Sequence, residues 1–214
     1  MDAQKTERIL SALKELYPEA KAELHFSNPY ETLVATILSA QCTDKRVNMV
    51  TEKLFKLYPD AYAMAKLEPE ELEPHIKSCG LYHNKAKNIV AASRALVERF
   101  EGNVPADRKQ LMSLPGVGQK TAGVVLLAAF GDDQIPVDTH VFRVSNRIGL
   151  AKADTPDGVE KQLQEVLPKE IWSHAHHLLI WHGRRCCAAR KPECDRCPLK
   201  DGLCEYQKGN TEEI

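Results

Sequence analysis

The chain has 214 residues, 43% of them apolar, and 29 Lys and Arg offset by 30 Asp and Glu for a formal net charge of −1 at pH 7. That length and apolar share are enough for a buried core in one or two domains. The near-zero charge excludes a generic nucleic-acid coater, whose field is strongly positive, so any DNA binding has to be local. No apolar run approaches the ~20 residues needed to cross a bilayer, and the opening MDAQKTERIL lacks the apolar stretch of a signal peptide, so a cytoplasmic protein with no membrane partner is expected. Seven cysteines in such a chain argue for metal or redox use rather than a disulfide framework, and five of them fall between positions 186 and 204.

In chain order, apolar residues recur at helical spacing and alternation of the strand type is nearly absent, which predicts an all-α protein. A first helix over Lys5 to Tyr17 places Ile9, Leu10, Leu13 and Leu16 on one face. Asn28 and Pro29 open a second, with Leu33, Val34, Ile37 and Leu38 as its core stripe. Helices follow over Asp44 to Tyr58, Ala61 to Lys66 and Pro69 to Ser78, the last with Gly80 as its left-handed cap. A long helix from His83 to Phe100 buries Ile89, Ser93, Leu96, Val97 and Phe100 and is stopped by Gly102. Asp107 then caps a short helix to Ser113.

Residues 114 to 140, LPGVGQKTAGVVLLAAFGDDQIPVDTH, organise the rest. Gly116 and Gly118 let the backbone take positive φ and bring its N–H groups close to a ligand where a helix begins, which makes an anion site suited to a nucleotide phosphate. The stretch GVGQKT is not a phosphate-binding nucleotide loop, because one residue separates the glycines where four are needed and Gln119, not Gly, precedes the lysine. Lys120 offers a primary amine in the first helical turn, the nucleophile of Schiff-base chemistry. A helix over Thr121 to Phe130 advances roughly 15 Å and the following segment to Val137 can return roughly 24 Å, so Asp138 can meet Lys120. Two plainer readings stand beside this one: an exposed lysine in a first turn, and an aspartate that only caps the next helix.

That next helix runs to Ile148 and Gly149, Thr155 with Pro156 opens another to Leu167, and Trp172, Leu178, Leu179, Ile180 and Trp181 mark the last. Four histidines there, His174, His176, His177 and His182, read as core or interface residues rather than metal ligands. Cys42 and Cys79 read as small buried hydrophobes. Cys187, Cys194, Cys197 and Cys204, separated by six, two and six residues, are compact enough for four thiolates to converge on one centre, with Cys186 as an alternative to its neighbour. Four thiolates suit zinc as well as iron and sulfur, although the spacing is unlike a paired CxxC zinc ribbon.

LPGVGQKTA followed by VDTHVFR, together with HFSNPYETLVATILSAQCTDKRVN, GLYHNKAKNI and the four-cysteine tail, resembles the helix-hairpin-helix DNA glycosylases and specifically the endonuclease III family, over nearly the whole chain. The resemblance implies two helical domains, 22–132 with the helix-hairpin-helix and 1–21 plus 133–214 with an iron-sulfur loop, and a DNA-binding cleft between them. It implies a bifunctional DNA glycosylase and abasic-site lyase of base excision repair that acts on oxidised pyrimidines in double-stranded DNA as a monomer, near the nucleoid in a bacterium. A glycosylase of mismatch or adenine specificity and a non-enzymatic DNA-binding module are the alternatives. Lys120 and Asp138 are then catalytic. Gln41, Leu81 and His83 fall in loops that fill the gap left by a flipped base, Gly116 and Gly118 bind phosphate, and Arg190 and Lys191 touch the backbone near a [4Fe–4S] cluster on Cys187, Cys194, Cys197 and Cys204. The family pattern has five residues before the last cysteine where this chain has six, the extra one falling in a turn with Gly202.

Overall fold

The computed structural model describes residues 3–206, so positions 1–2 and 207–214 of the expected domain boundaries lie outside the described residues. Every regular element among those described is helical. The chain divides into two compact units, Ala22–Asp132 and a second built from the segment up to Lys21 together with the chain from Asp133 onward.

The first unit contains α2 (Pro29–Ser39), α3 (Asp44–Leu57), α4 (Ala61–Ala65), α5 (Pro69–Ile76), α6 (Tyr82–Phe100), α7 (Arg108–Met112) and α8 (Gln119–Phe130). Asn28 starts α2 by accepting the Glu31 N–H at 2.9 Å ahead of Pro29, a cap worth about 1 kcal/mol. All seven residues from Thr32 to Leu38 are buried. A helix apolar on every side belongs at a centre, and α2 packs on both α6 and α8. Among the described residues two polar ties join it to α6: the Tyr30 hydroxyl lies 2.8 Å from Ser93 Oγ, and Lys85 Nζ donates to the Leu38 carbonyl at 2.8 Å. Along α6 the expected stripe is graded: Ile89, Ser93 and Leu96 are buried, whereas Val97 and Phe100 are half-buried at the core's edge.

The turn after α5 differs from the sequence expectation. Residues Lys77–Cys79 form one 3-10 turn, and Gly80 has positive φ (67°) but ψ of 160°, outside the helical well. The left-handed helical residue is Leu81 (φ 50°, ψ 28°), the residue that opens α6. A Cβ in that region costs about 1–2 kcal/mol, so surrounding structure has to hold Leu81 there.

The second unit contains α1 (Ala3–Leu16), α9 (Thr139–Ile148), α10 (Pro156–Val166), α11 (Trp172–Arg185) and the cysteine loop. Its core gathers Ile9 and Leu13 of α1, Val141, Val144 and Ile148 of α9, and Leu178 and Leu179 of α11. Gly149 ends α9 at φ 84°, and Thr155 accepts the Gly158 N–H at 3.1 Å to start α10 behind Pro156. Among the described residues no helix is long and apolar enough to cross a membrane.

Candidate functional site

In the first unit, α7 and α8 form a helical hairpin joined by Ser113–Gly118. Asp107 caps α7 through the Gln110 N–H at 2.9 Å, and Arg108 on α7 donates to Gln119 Oε1 on α8 at 3.0 Å. Gly116 takes φ of 76°, and a Cβ there would lie 2.8 Å from the Asn88 side chain, so this position admits glycine alone on both counts. Gly118 departs from expectation: its φ of −93° and ψ of −178° are ordinary extended backbone, and a Cβ there would meet nothing. What Gly118 contributes is open space at the N-cap of α8. The first amides of α8 have no intrahelical acceptor and point outward at the positive end of the helix dipole. Lys120, the second residue of α8, is exposed beside them.

Gln41, Leu81 and His83 lie on two turns of the same unit. Gln41 follows α2 and Leu81 precedes α6; both are exposed and both have positive φ, 53° and 50°. His83 is exposed, and its Nδ1 is already engaged with Glu73 Oε1 at 2.7 Å, leaving Nε2 outward. Beneath these turns Lys85 is almost fully buried, with burial lowering its pKa. Cys79 beside it is buried as expected, and burial pushes its thiol up to about 11.

In the second unit, Asp138 is the N-cap of α9 and accepts the N–H groups of both His140 and Val141 at 2.8 Å, each on Oδ1. Among the described residues no bond reaches Oδ2. His140 Nδ1 lies 3.2 Å from Arg143 Nη2, and burial lowers the pKa of the ring while the Asp138 carboxylate opposes the shift.

From α9, two arginines reach the cysteine loop. Arg143 Nε donates to Cys187 O at 3.1 Å, and Arg147 donates to Ala188 O at 2.7 Å and Ala189 O at 2.9 Å, with Nη1 also 3.6 Å from Cys187 Sγ. The Arg147 carbonyl in turn accepts from Cys204 Sγ at 3.5 Å. Cys187, Cys194, Cys197 and Cys204 all line one cavity, together with Cys186 and His182. The donor atoms of His182, Cys186 and Cys197 lie within 4.8 Å of one another, with His182 Nε2 3.7 Å from Cys197 Sγ. Two thiols and an imidazole gathered in one enclosed cavity are a donor set that could hold a soft metal ion, and burial pushes the Cys197 thiol up to about 12.

Two features of that cavity differ from the sequence reading. Both Cys186 and its neighbour line it: α11 ends at Arg185, Cys186 leaves the helix at φ −135° and ψ −59°, and the amides of both cysteines turn back onto the His182 carbonyl at 2.9 and 2.8 Å. His182, read as a core histidine, is buried but sits against the thiols rather than in apolar packing alone. Nothing in the spacing of the histidines signals this, since the contact joins residues fifteen apart through the fold. Arg190 and Lys191 are exposed and make no hydrogen bond or ion pair among the described residues, whereas Arg196 pairs with Glu193 and Lys200 donates to Asp195 O at 3.0 Å.

Comparison with known proteins bears on both units. The family described as HhH-GPD superfamily base excision DNA repair protein matches residues 34–169. Endonuclease III of Rickettsia conorii is 48% identical over 96% of this chain and 98% of its own length. Endonuclease III of Escherichia coli is 47% identical over 97% of this chain and 98% of its own length. Among solved structures, a trapped endonuclease III–DNA covalent intermediate with an estranged adenine matches with a TM-score of 0.93 at 45% identity, covering 99% of both chains. A hairpin followed by an exposed lysine, a capping aspartate and a cysteine-lined loop thus recur in one chain that matches these relatives end to end, and the protein belongs to the HhH-GPD base excision repair superfamily and, within it, to the endonuclease III family.

Proposed function

We propose that the chain is a bifunctional DNA glycosylase and abasic-site lyase that removes oxidised pyrimidines from double-stranded DNA, working as a monomer near the nucleoid. The observation that carries this reading is Lys120: an exposed amine in the first turn of α8, directly beyond a hairpin whose outward amides suit a phosphate. A chain similar to an endonuclease III trapped covalently on DNA supports the same assignment.

In the proposed reaction the base is first turned out of the stack, with Gln41 and Leu81 occupying the space it leaves and His83 at the same edge. Gly116 and Gly118 carry the backbone amides against phosphate, and Arg190 and Lys191 add a second backbone contact; these set position and carry no sequence information. Lys120 Nζ forms a bond to the sugar C1′ as the bond from C1′ to the base breaks, and the base leaves with that electron pair and takes up a proton. Asp138 is assigned the stabilisation of the positive charge that develops on the sugar, through Oδ2, the oxygen its cap leaves open. Opening of the sugar ring gives a Schiff base with Lys120. Loss of a proton from C2′ then breaks the C3′–O bond, and the strand is cut on its 3′ side.

Cys187, Cys194, Cys197 and Cys204 would hold a [4Fe–4S] cluster, which when bound supplies a cross-link between the ends of the loop and no reacting atom. Arg143 and Arg147 orient that loop against α9, the helix Asp138 caps.

Borohydride reduction during turnover tests the central assignment. The expected product is a protein–DNA adduct mapped by mass spectrometry to Lys120, absent in Lys120→Gln, which keeps its affinity for lesion duplex. An adduct of undiminished yield in that variant overturns the mechanism.

A further inference from the structure

The described chain holds three non-glycine residues at positive φ, and two of them are Gln41 and Leu81. Both turns are rooted on one buried amine. Lys85 is 4% exposed, and its Nζ donates to Leu38 O at 2.8 Å and to Cys79 O at 2.9 Å. Leu38 lies in the last turn of α2, three residues before Gln41, where a helix leaves its carbonyls without intrahelical donors. Cys79 closes the 3-10 turn two residues before Leu81. The backbone N–H of Lys85 takes the Leu81 carbonyl at 3.1 Å. One residue therefore bonds to the segment before Gln41, the segment before Leu81, and Leu81 itself.

Packing does not call for an amine at this place. Leu38 and Cys79, whose carbonyls it meets, belong to an apolar core cluster, and taking an ammonium out of water is unfavourable unless hydrogen bonds and a helix C-terminus compensate. An apolar side chain of equal length would fill the volume without that penalty. What it would not do is bond two carbonyls forty-one residues apart, counted from Leu38 to Cys79, across the base of both turns.

We infer that Lys85 is a positioning residue that fixes the Gln41 and Leu81 turns relative to one another, so that both side chains enter a base-paired lesion as one rigid wedge. The inference rests on the proposed reading that these two residues fill the gap of a flipped base. It acts on one step only. Opening a paired duplex needs the wedge, whereas an abasic site has no base to extrude and asks much less of it.

Lys85→Met removes the donors at nearly constant volume, and Lys85→Gln keeps one amide donor. Single-turnover base release from a duplex with paired thymine glycol should fall about tenfold or more in Lys85→Met, while strand incision at a preformed abasic site falls less than about threefold. Lys85→Gln should lie between wild type and Lys85→Met on the paired lesion, and it carries the same comparison if Lys85→Met does not fold. Adding Lys85→Met to Leu81→Ala should cost little beyond Leu81→Ala alone, because the lysine acts through the wedge. Equal losses on both substrates, or full additivity with Leu81→Ala, overturn the inference and leave Lys85 as a fold element. A wild-type protein inactive on both duplexes overturns the functional reading and this inference with it.

Discussion

Asp138 accepts the Val141 N–H at 2.8 Å on the same Oδ1 that takes the His140 N–H, so one oxygen of the carboxylate starts α9 and the other is left open. Stability and chemistry are thereby separable within a single side chain. Asn is as good an N-cap as Asp, so Asp138→Asn should change unfolding free energy by less than about 0.5 kcal/mol while slowing base release by at least about 100-fold. Asp138→Ala should lose the cap as well, at about 1 kcal/mol. Urea melts and single-turnover rates on the same preparations check both numbers, and an Asp138→Asn protein with normal turnover would remove the carboxylate from the reaction.

The glycine pair of the hairpin should part company. Gly118→Ala meets no neighbour and keeps an ordinary φ, so the fold should tolerate it, and any fall in affinity for DNA reports the approach of phosphate alone. Gly116→Ala combines a strained φ with a Cβ 2.8 Å from Asn88, so it should destabilise the unit by about 1–3 kcal/mol in addition to weakening DNA binding. Binding isotherms beside thermal melts settle the contrast; equal melting temperatures for the two variants would contradict it.

What the sequence reveals and what it hides divide on physical grounds. Asn28, Asp107, Asp138 and Thr155 are legible as caps because each bonds an amide two or three residues away, and Gly149 is legible as a stop because positive φ is a local demand. Lys120 and the cysteine loop are legible as chemistry because residue type and spacing alone raise them. Lys85, Arg147 and His182 are not, because their meaning lies in the Leu38 carbonyl, the Ala188 carbonyl and the Cys197 thiol, groups 47, 41 and 15 residues away that only the fold brings near. The same limit explains Gly118 and Leu81: a glycine invites positive φ and a leucine discourages it, and tertiary context reverses both.

The cysteine loop gives a prediction about retention of its group. Anaerobically purified protein should be yellow-brown and contain iron and sulfide together; zinc without iron would contradict the [4Fe–4S] assignment. Cys204→Ser should lose iron and stability at once, whereas Cys186→Ala, which also lines the cavity, should keep both, and the reverse order would transfer the ligand role to Cys186. Arg147→Met removes the two bonds that hold the Ala188 and Ala189 carbonyls, so it should release iron faster under chelator than wild type although no thiol is touched.

Acid should weaken the second unit through His177. Burial holds this imidazole at about 4, with the neighbouring His174 pushing in the same direction, against an ordinary value of 6.5. The folded protein therefore binds that proton less readily than the unfolded chain does. Its contribution to stability is fully present above pH 6.5 and is lost as the pH falls from there toward about 4. At about 1.4 kcal/mol per pH unit between 6.5 and about 4, the whole effect is at most about 3.5 kcal/mol for this group. Urea unfolding free energies measured at about pH 7.5 and about pH 5 should fall more steeply for wild type than for His177→Gln, which has no proton to take up. Parallel lines for the two proteins would show that His177 takes up its proton equally readily in the folded and the unfolded chain, and that the burial around α11 does not exclude its charge.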